Sequence, residues 1–168
     1  MKTRELFVIG FGFLTVAGLS LSFNYFQHTI QPLNSSSEHL DEIVSSSDPV
    51  LIHTNLYELK YRLTEVMRNL PENKNPVWLF PTESTNFLRI QNDVDVMIAS
   101  VDKISAIPKD SSAYHTEMLD INSRSMVLKN NLLDAKGFMY VSPANLSFTM
   151  MWLIGIIGTA KMWMRNEN

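Results

Sequence analysis

Cysteine does not occur among the 168 residues. No disulfide can staple the chain and no thiolate is available as nucleophile or metal ligand, so any folded domain must be held by packing. Glycine is scarce, six in all, and Gly10, Gly12, Gly18, Gly155 and Gly158 fall inside long apolar runs. Only Gly137 is left elsewhere, which excludes a glycine-rich phosphate loop. The pattern Gly-x-Ser-x-Gly is missing, as are His-Glu-x-x-His and Glu-x-x-His. The four histidines are His28, His39, His53 and His115, and only His39 has a carboxylate, Glu42, at helical spacing. One such pair is short of a metal site, which needs three or four ligands converging. The serine runs at 35–37 and 45–47 suit helix ends, where serine caps backbone amides. Neither catalysis, a metal nor a cofactor is expected.

Charge is missing from two stretches. No Asp, Glu, Lys or Arg lies between Glu5 and Glu38, nor between Lys136 and Lys161. Residues 6–26 read LFVIGFGFLTVAGLSLSFNYF. Crossing the hydrocarbon core takes about 20 mostly apolar residues, and this run is long enough. The second run centres on residues 148–160, FTMMWLIGIIGTA, and reaches that length as 144–164 if Lys161 snorkels to the interface. The first run has a rival reading as a cleaved signal, with Ser20-Leu21-Ser22 as a small-x-small site; a retained anchor is the expectation. Lys2 and Arg4 precede the first run, and Lys161 and Arg165 follow the second. Basic flanks face the cytoplasm, so both termini are expected there and the middle of the chain outside. The expected division is a tail at 1–5, a span at 6–26, a bundle at 27–143, a span at 144–164 and a tail at 165–168. Net charge is only −3, with no basic patch, so nucleic acid is not an expected partner.

The middle of the chain has helical rhythm. Ser35-x-x-Glu38 has the form of a capping box, followed by Leu40, Ile43 and Val44 and closed by 45–47; this short helix is either capped at Ser35 or continuous with the first span. Asp48-Pro49 is a strong helix start. After it come Ile52, Leu56, Leu59, Leu63, Val66 and Leu70, stepping by three and four residues, until Pro71. Residues 71–81, PENKNPVWLFP, hold three prolines and must be a loop. A third helix is expected from Thr82 or Ser84 to Ile107, with Phe87, Ile90, Val94, Met97, Val101 and Ile104 on one face. A fourth runs from Ser111 or Ser112 to about Tyr140, with Tyr114, Met118, Ile121, Ser125, Leu128, Leu132, Ala135 and Met139 aligned. Gly137 and Pro143 interrupt the passage into the second run. Ser125 and Ala135 thin the last stripe, marking either a close helix approach, which we favour, or room for a ligand.

Helices with one apolar stripe each must bury those stripes together, and short connections make neighbours antiparallel. The expected fold is therefore all-α: two transmembrane helices flanking an extracytoplasmic antiparallel bundle of three to four helices. In this order the loop at 71–81 returns to the membrane side. Val77, Trp78, Leu79 and Phe80 become a candidate contact with membrane or partner, or else a plug for the end of the bundle. Gly10, Ala17, Gly18, Gly155, Gly158 and Thr159 are small residues through which the two spans are expected to touch. Asn34-Ser35-Ser36 and Asn145-Leu146-Ser147 are glycosylation patterns.

The layout of span, outer bundle and span resembles the sensor region of four-helix-bundle chemoreceptors and related transmembrane sensors. The resemblance lies in pattern and not in any ligand-binding motif, and it departs in having only short tails for the cytoplasm. It implies a sensor that would signal through a partner. The residues themselves favour a non-catalytic membrane subunit or adaptor. Its partners would be the lipid bilayer and another membrane protein or a second copy.

Overall fold

In the computed structural model the described residues are 3–77, 81–141 and 143–164, and within the helices the side chains of Thr3, Arg4, Leu6, Ala144, Thr159, Met162 and Trp163 lie outside the description. All regular structure among the described residues is helical. The α-helices are α1 (Thr3–Tyr25), α2 (Gln31–Ser45), α3 (Pro49–Arg68), α4 (Phe87–Ile104), α5 (Ser112–Tyr140) and α6 (Pro143–Met164). The chain divides into two compact units, Met1–Phe26 with Val141–Asn168, and Gln27–Tyr140.

The second unit is a four-helix bundle. Asp48 starts α3 by accepting a hydrogen bond from the Val50 N–H at 3.1 Å, with Pro49 in the first turn. Ile52, Leu56, Leu59, Leu63 and Val66 then lie fully buried along one face. Each such side chain contributes about 1.5–3 kcal/mol by leaving water. In α4 the buried set includes Phe87, Ile90, Val94, Met97, Val101 and Ile104, and in α5 every position of the expected stripe is buried from Tyr114 to Met139. Leu70 is only half-buried, because α3 stops at Arg68 and Leu70 sits in the turn beyond.

Cross-helix bonds set the directions. Along α3 and α4, His53 meets Asp102 at 3.4 Å, Lys60 meets Asp95 at 2.6 Å, and Gln91 Nε2 donates to Thr64 Oγ1 at 3.3 Å. Moving forward on one helix means moving back on the other. The same reversal joins α2 to α3, through His39 Nδ1 and Asn55 Oδ1 at 2.9 Å and Asn69 Nδ2 donating to the His28 carbonyl at 3.2 Å. It also joins α2 to α5, through the Tyr114 hydroxyl donating to the Ser47 carbonyl at 3.2 Å and Lys129 to Asp41 at 2.5 Å. With α4 packed on α5, the four helices close a ring of antiparallel neighbours.

Two helix starts differ from expectation. Ser35 is no cap: α2 begins at Gln31, directly after a π-helical turn at Phe26–Ile30. Pro32 occupies the first turn, where its missing N–H is tolerated. It cannot donate to the carbonyl four residues back, that of His28, and Asn69 supplies a donor there instead. Ser36 turns its hydroxyl to the Pro32 carbonyl at 2.8 Å. The third helix starts in two steps. A 3₁₀ turn at Glu83–Thr85 follows Thr82, and α4 then starts afresh with Asn86 accepting from the Leu88 N–H at 3.0 Å. Its end also comes early, at Ile104, and the chain reaches Pro108 through tight turns.

In the first unit α1 packs on α6. Both are apolar and long, 23 and 22 residues, or about 35 and 33 Å at 1.5 Å per residue. The chain thus has two helices long and apolar enough to cross a membrane.

Candidate interaction surface

Among the described residues no three His, Cys, Asp or Glu side chains gather where they could share a metal ion. His39 binds Asn55 and lies 4.0 Å from Glu42, and His53 pairs with Asp102 and meets the Tyr57 ring in a tilted contact. These groups tie helices together and do not converge on a shared cleft. Ser125 and Ala135 are fully buried, and the Ser125 hydroxyl donates to the Ile121 carbonyl at 2.8 Å. A void that admits water leaves accessible area on the residues lining it, and these two have none. Both positions therefore serve close packing of α5.

The loop after α3 is built around Asn75, which sequence reasoning passed over. Its side chain is buried and accepts from the Val77 N–H and the Thr85 hydroxyl, both at 3.0 Å, while its amide donates to the Thr82 carbonyl at 3.0 Å. Lys74 adopts positive φ, 51°, so that its carbonyl receives the Phe87 N–H at 2.9 Å and its Nζ reaches the Met67 carbonyl at 3.0 Å. Of the four candidate contact residues, Val77 is 2% exposed and faces inward; Trp78, Leu79 and Phe80 lie outside the described residues. A polar Asn between two prolines in the sequence carries no sign that it will be buried.

The small residues of the apolar helices meet larger ones. A Cβ added to Gly18 would fall on the Phe148 ring, one on Gly155 would come 2.5 Å from Phe11, and one on Gly158 would come 3.0 Å from Phe7. Trp152 Nε1 donates to Thr15 Oγ1 at 3.2 Å. The pairing is antiparallel, and Gly18, Gly155 and Gly158 are holes filled by phenylalanines from the opposite helix. Gly10 has open space, Ala17 is half-buried, and the Thr159 side chain is outside the description. Sequence reasoning found the glycines and missed the phenylalanines, because in an apolar run a Phe bound for a partner helix looks like one bound for lipid.

A second apolar stripe lies on α5, on the side away from the core. Leu119, Met126, Leu133 and Tyr140 recur every seven residues and are 46–70% exposed, with Val127 beside them. Residues seven apart share one helix face, so these four form a line. No protein family, curated protein or solved structure matches the chain.

Proposed function

We propose that this chain is a non-catalytic integral membrane protein that acts by docking. The helices α1 and α6 cross the bilayer as a hairpin, both termini lie in the cytoplasm, and the four-helix bundle stands outside it. Support for the membrane reading comes from the length and apolar surface of the two helices and from the basic residues Lys2, Arg4, Lys161 and Arg165 at their outer ends. The interlocking of Phe7, Phe11 and Phe148 with glycines of the opposite helix favours a retained anchor over a cleaved signal, since cleavage would leave Gly155 and Gly158 unfilled.

The observation that carries the docking reading is the exposed heptad line Leu119, Met126, Leu133 and Tyr140. A helix that has already buried one apolar stripe gains nothing within the bundle from a second. Such a line fits the seam of a helix–helix contact with another membrane protein or a second copy of this chain. The sensor-like layout remains as resemblance only; the fully buried Ser125 and Ala135 offer a ligand no space at the positions where the stripe is thin.

The test is purification of full-length protein in mild detergent from its own host, beside the variant Leu119→Glu/Met126→Glu. We expect the wild type to bring a stoichiometric membrane partner or to run as a dimer. The variant should keep its helical spectrum and emerge alone. A wild type that emerges alone and monomeric, or a variant that keeps its partner, would overturn the reading.

A further inference from the structure

The bundle carries a strongly polar pocket, of about 420 Å³, lined on one side by Gln27, His28, Gln31 and Ser35 and on the other by Arg62, Arg68 and Asn69, with Glu65 and Pro32 completing it. All of these residues belong to the unit Gln27–Tyr140. The lining is rich in donors: two guanidiniums, three carboxamides, an imidazole and a hydroxyl. One of the guanidiniums is unpaired. Arg62 pairs with Glu65 through Nη1 at 3.6 Å, and its Nε is buried without a hydrogen-bond partner. Arg68 is exposed and forms no salt bridge among the described residues, whereas Lys60, Arg89, Arg124 and Lys129 are each paired with a carboxylate. One carboxylate against two guanidiniums leaves the pocket cationic within a chain of net charge −3.

Position along the chain says what such a pocket would meet. Gln27 directly follows the apolar run, and Gln31 is the fifth residue beyond Phe26. The intervening residues are helical, so Gln31 lies no more than about 8 Å past the end of the run. The headgroup layer on each side of a bilayer is about 5–8 Å thick. The antiparallel order brings the end of α3, with Arg68 and Asn69, to the same level, as the bond from Asn69 to the His28 carbonyl records.

We infer that this pocket binds the phosphate of an anionic lipid headgroup. The inference rests on the membrane reading above. Guanidinium groups match a phosphate with paired, charge-assisted hydrogen bonds. The Arg62 guanidinium lines the pocket and adds positive charge beside it, and the exposed, unpaired Arg68 supplies the charge-assisted donors. Gln27, Gln31 and Ser35 complete the donor set for the remaining oxygens. The ligand holds the end of the bundle against the membrane surface.

The experiment uses full-length protein extracted in detergent and stripped of lipid. Phosphatidylglycerol, phosphatidylcholine and inorganic phosphate are added in turn. Bound lipid is counted by native mass spectrometry, and the unfolding temperature is recorded. We expect phosphatidylglycerol to be retained and to raise the unfolding temperature, with phosphatidylcholine weaker. Arg68→Gln, at an exposed position, should weaken retention about tenfold, the loss of one charged contact. Arg62→Gln should weaken it as well, and Arg124→Gln should not. Equal retention of both lipids, or retention unchanged in Arg68→Gln, would overturn the site. If millimolar inorganic phosphate gives the same stabilisation with the same dependence on Arg68, the ligand is soluble phosphate and the lipid assignment falls. A parallel alkaline wash of host membranes separates the two readings. Release of the protein into the wash refutes the membrane reading itself, whereas retention without lipid preference refutes only the headgroup site.

Discussion

Asn75 carries more of the α3–α4 connection than any charged residue near it. Its side chain satisfies one backbone N–H, one carbonyl and the buried Thr85 hydroxyl. Removing a partner from buried polar groups costs about 1–3 kcal/mol. Asn75→Ala is expected to lower stability by about 2–3 kcal/mol in chemical denaturation of the detergent-solubilised chain, with Asn75→Asp, which keeps the acceptor and loses the donor, in between. A loss indistinguishable from zero would show that the loop reorganises without it. Arg124 stands at the other extreme. Its guanidinium is held above its ordinary titration range, first by the hydrogen bond to Asp120 at 2.6 Å and then by the charge of that carboxylate. A cation raised in the folded state contributes its stability below its unfolded value and loses it only as pH climbs through the folded one. Across the neutral range the contribution is therefore constant. The pair is exposed, so Arg124→Gln should change stability by no more than about 0.5 kcal/mol, equally at mildly acid and mildly alkaline pH.

Elements show the same contrast between pattern and partner. The rhythm of α3, α4 and α5 was readable because an amphipathic helix writes its buried face into the sequence at a period of 3.6 residues, and Leu59, Val94 and Leu128 lie where that period puts them. Leu59→Ala should cost about 2–5 kcal/mol, the usual range for a fully buried leucine, read as a shift in denaturation midpoint. The start of α2 was readable only as an alternative between a cap at Ser35 and continuity with the first span, and the second holds. Ser35 and Glu38 form a capping pattern on paper, but helix already covers them, because the π turn at Phe26–Ile30 carries the chain past Pro32 without a break. For the apolar helices the contrast lies between holes and open positions. Gly18→Leu would drive a side chain into the Phe148 ring, whereas a Cβ on Gly12 has nothing within 4 Å. Gly18→Leu is expected to lower the unfolding temperature in detergent and Gly12→Leu to leave it unchanged. Equal effects of the two would mean that α1 and α6 do not pair through these sites.

On the scale of the whole molecule, the division into an apolar pair of helices and a polar bundle leads to a separate expectation. Residues 27–140 expressed alone should give a soluble, cooperatively melting helical domain, since Gln27–Tyr140 is a compact unit in which α2, α3, α4 and α5 pack on one another. A non-cooperative melt or an aggregate would show that the apolar helices are needed to hold the ring. The all-helical class, the core faces of α3, α4 and α5 and the two apolar runs were decided by the sequence alone, which left the bundle at three to four helices. Each depends on short-range order: periodic burial, proline and capping signals, and unbroken apolar length. Only the tertiary structure decided which faces meet. It set Asn75 inside the loop, matched Phe7, Phe11 and Phe148 to glycines more than a hundred residues away, and left Arg62 and Arg68 facing a pocket with Gln27 and Gln31. Such pairings depend on the register between distant segments, which follows from the packing of whole helix faces against one another, so no local pattern records it.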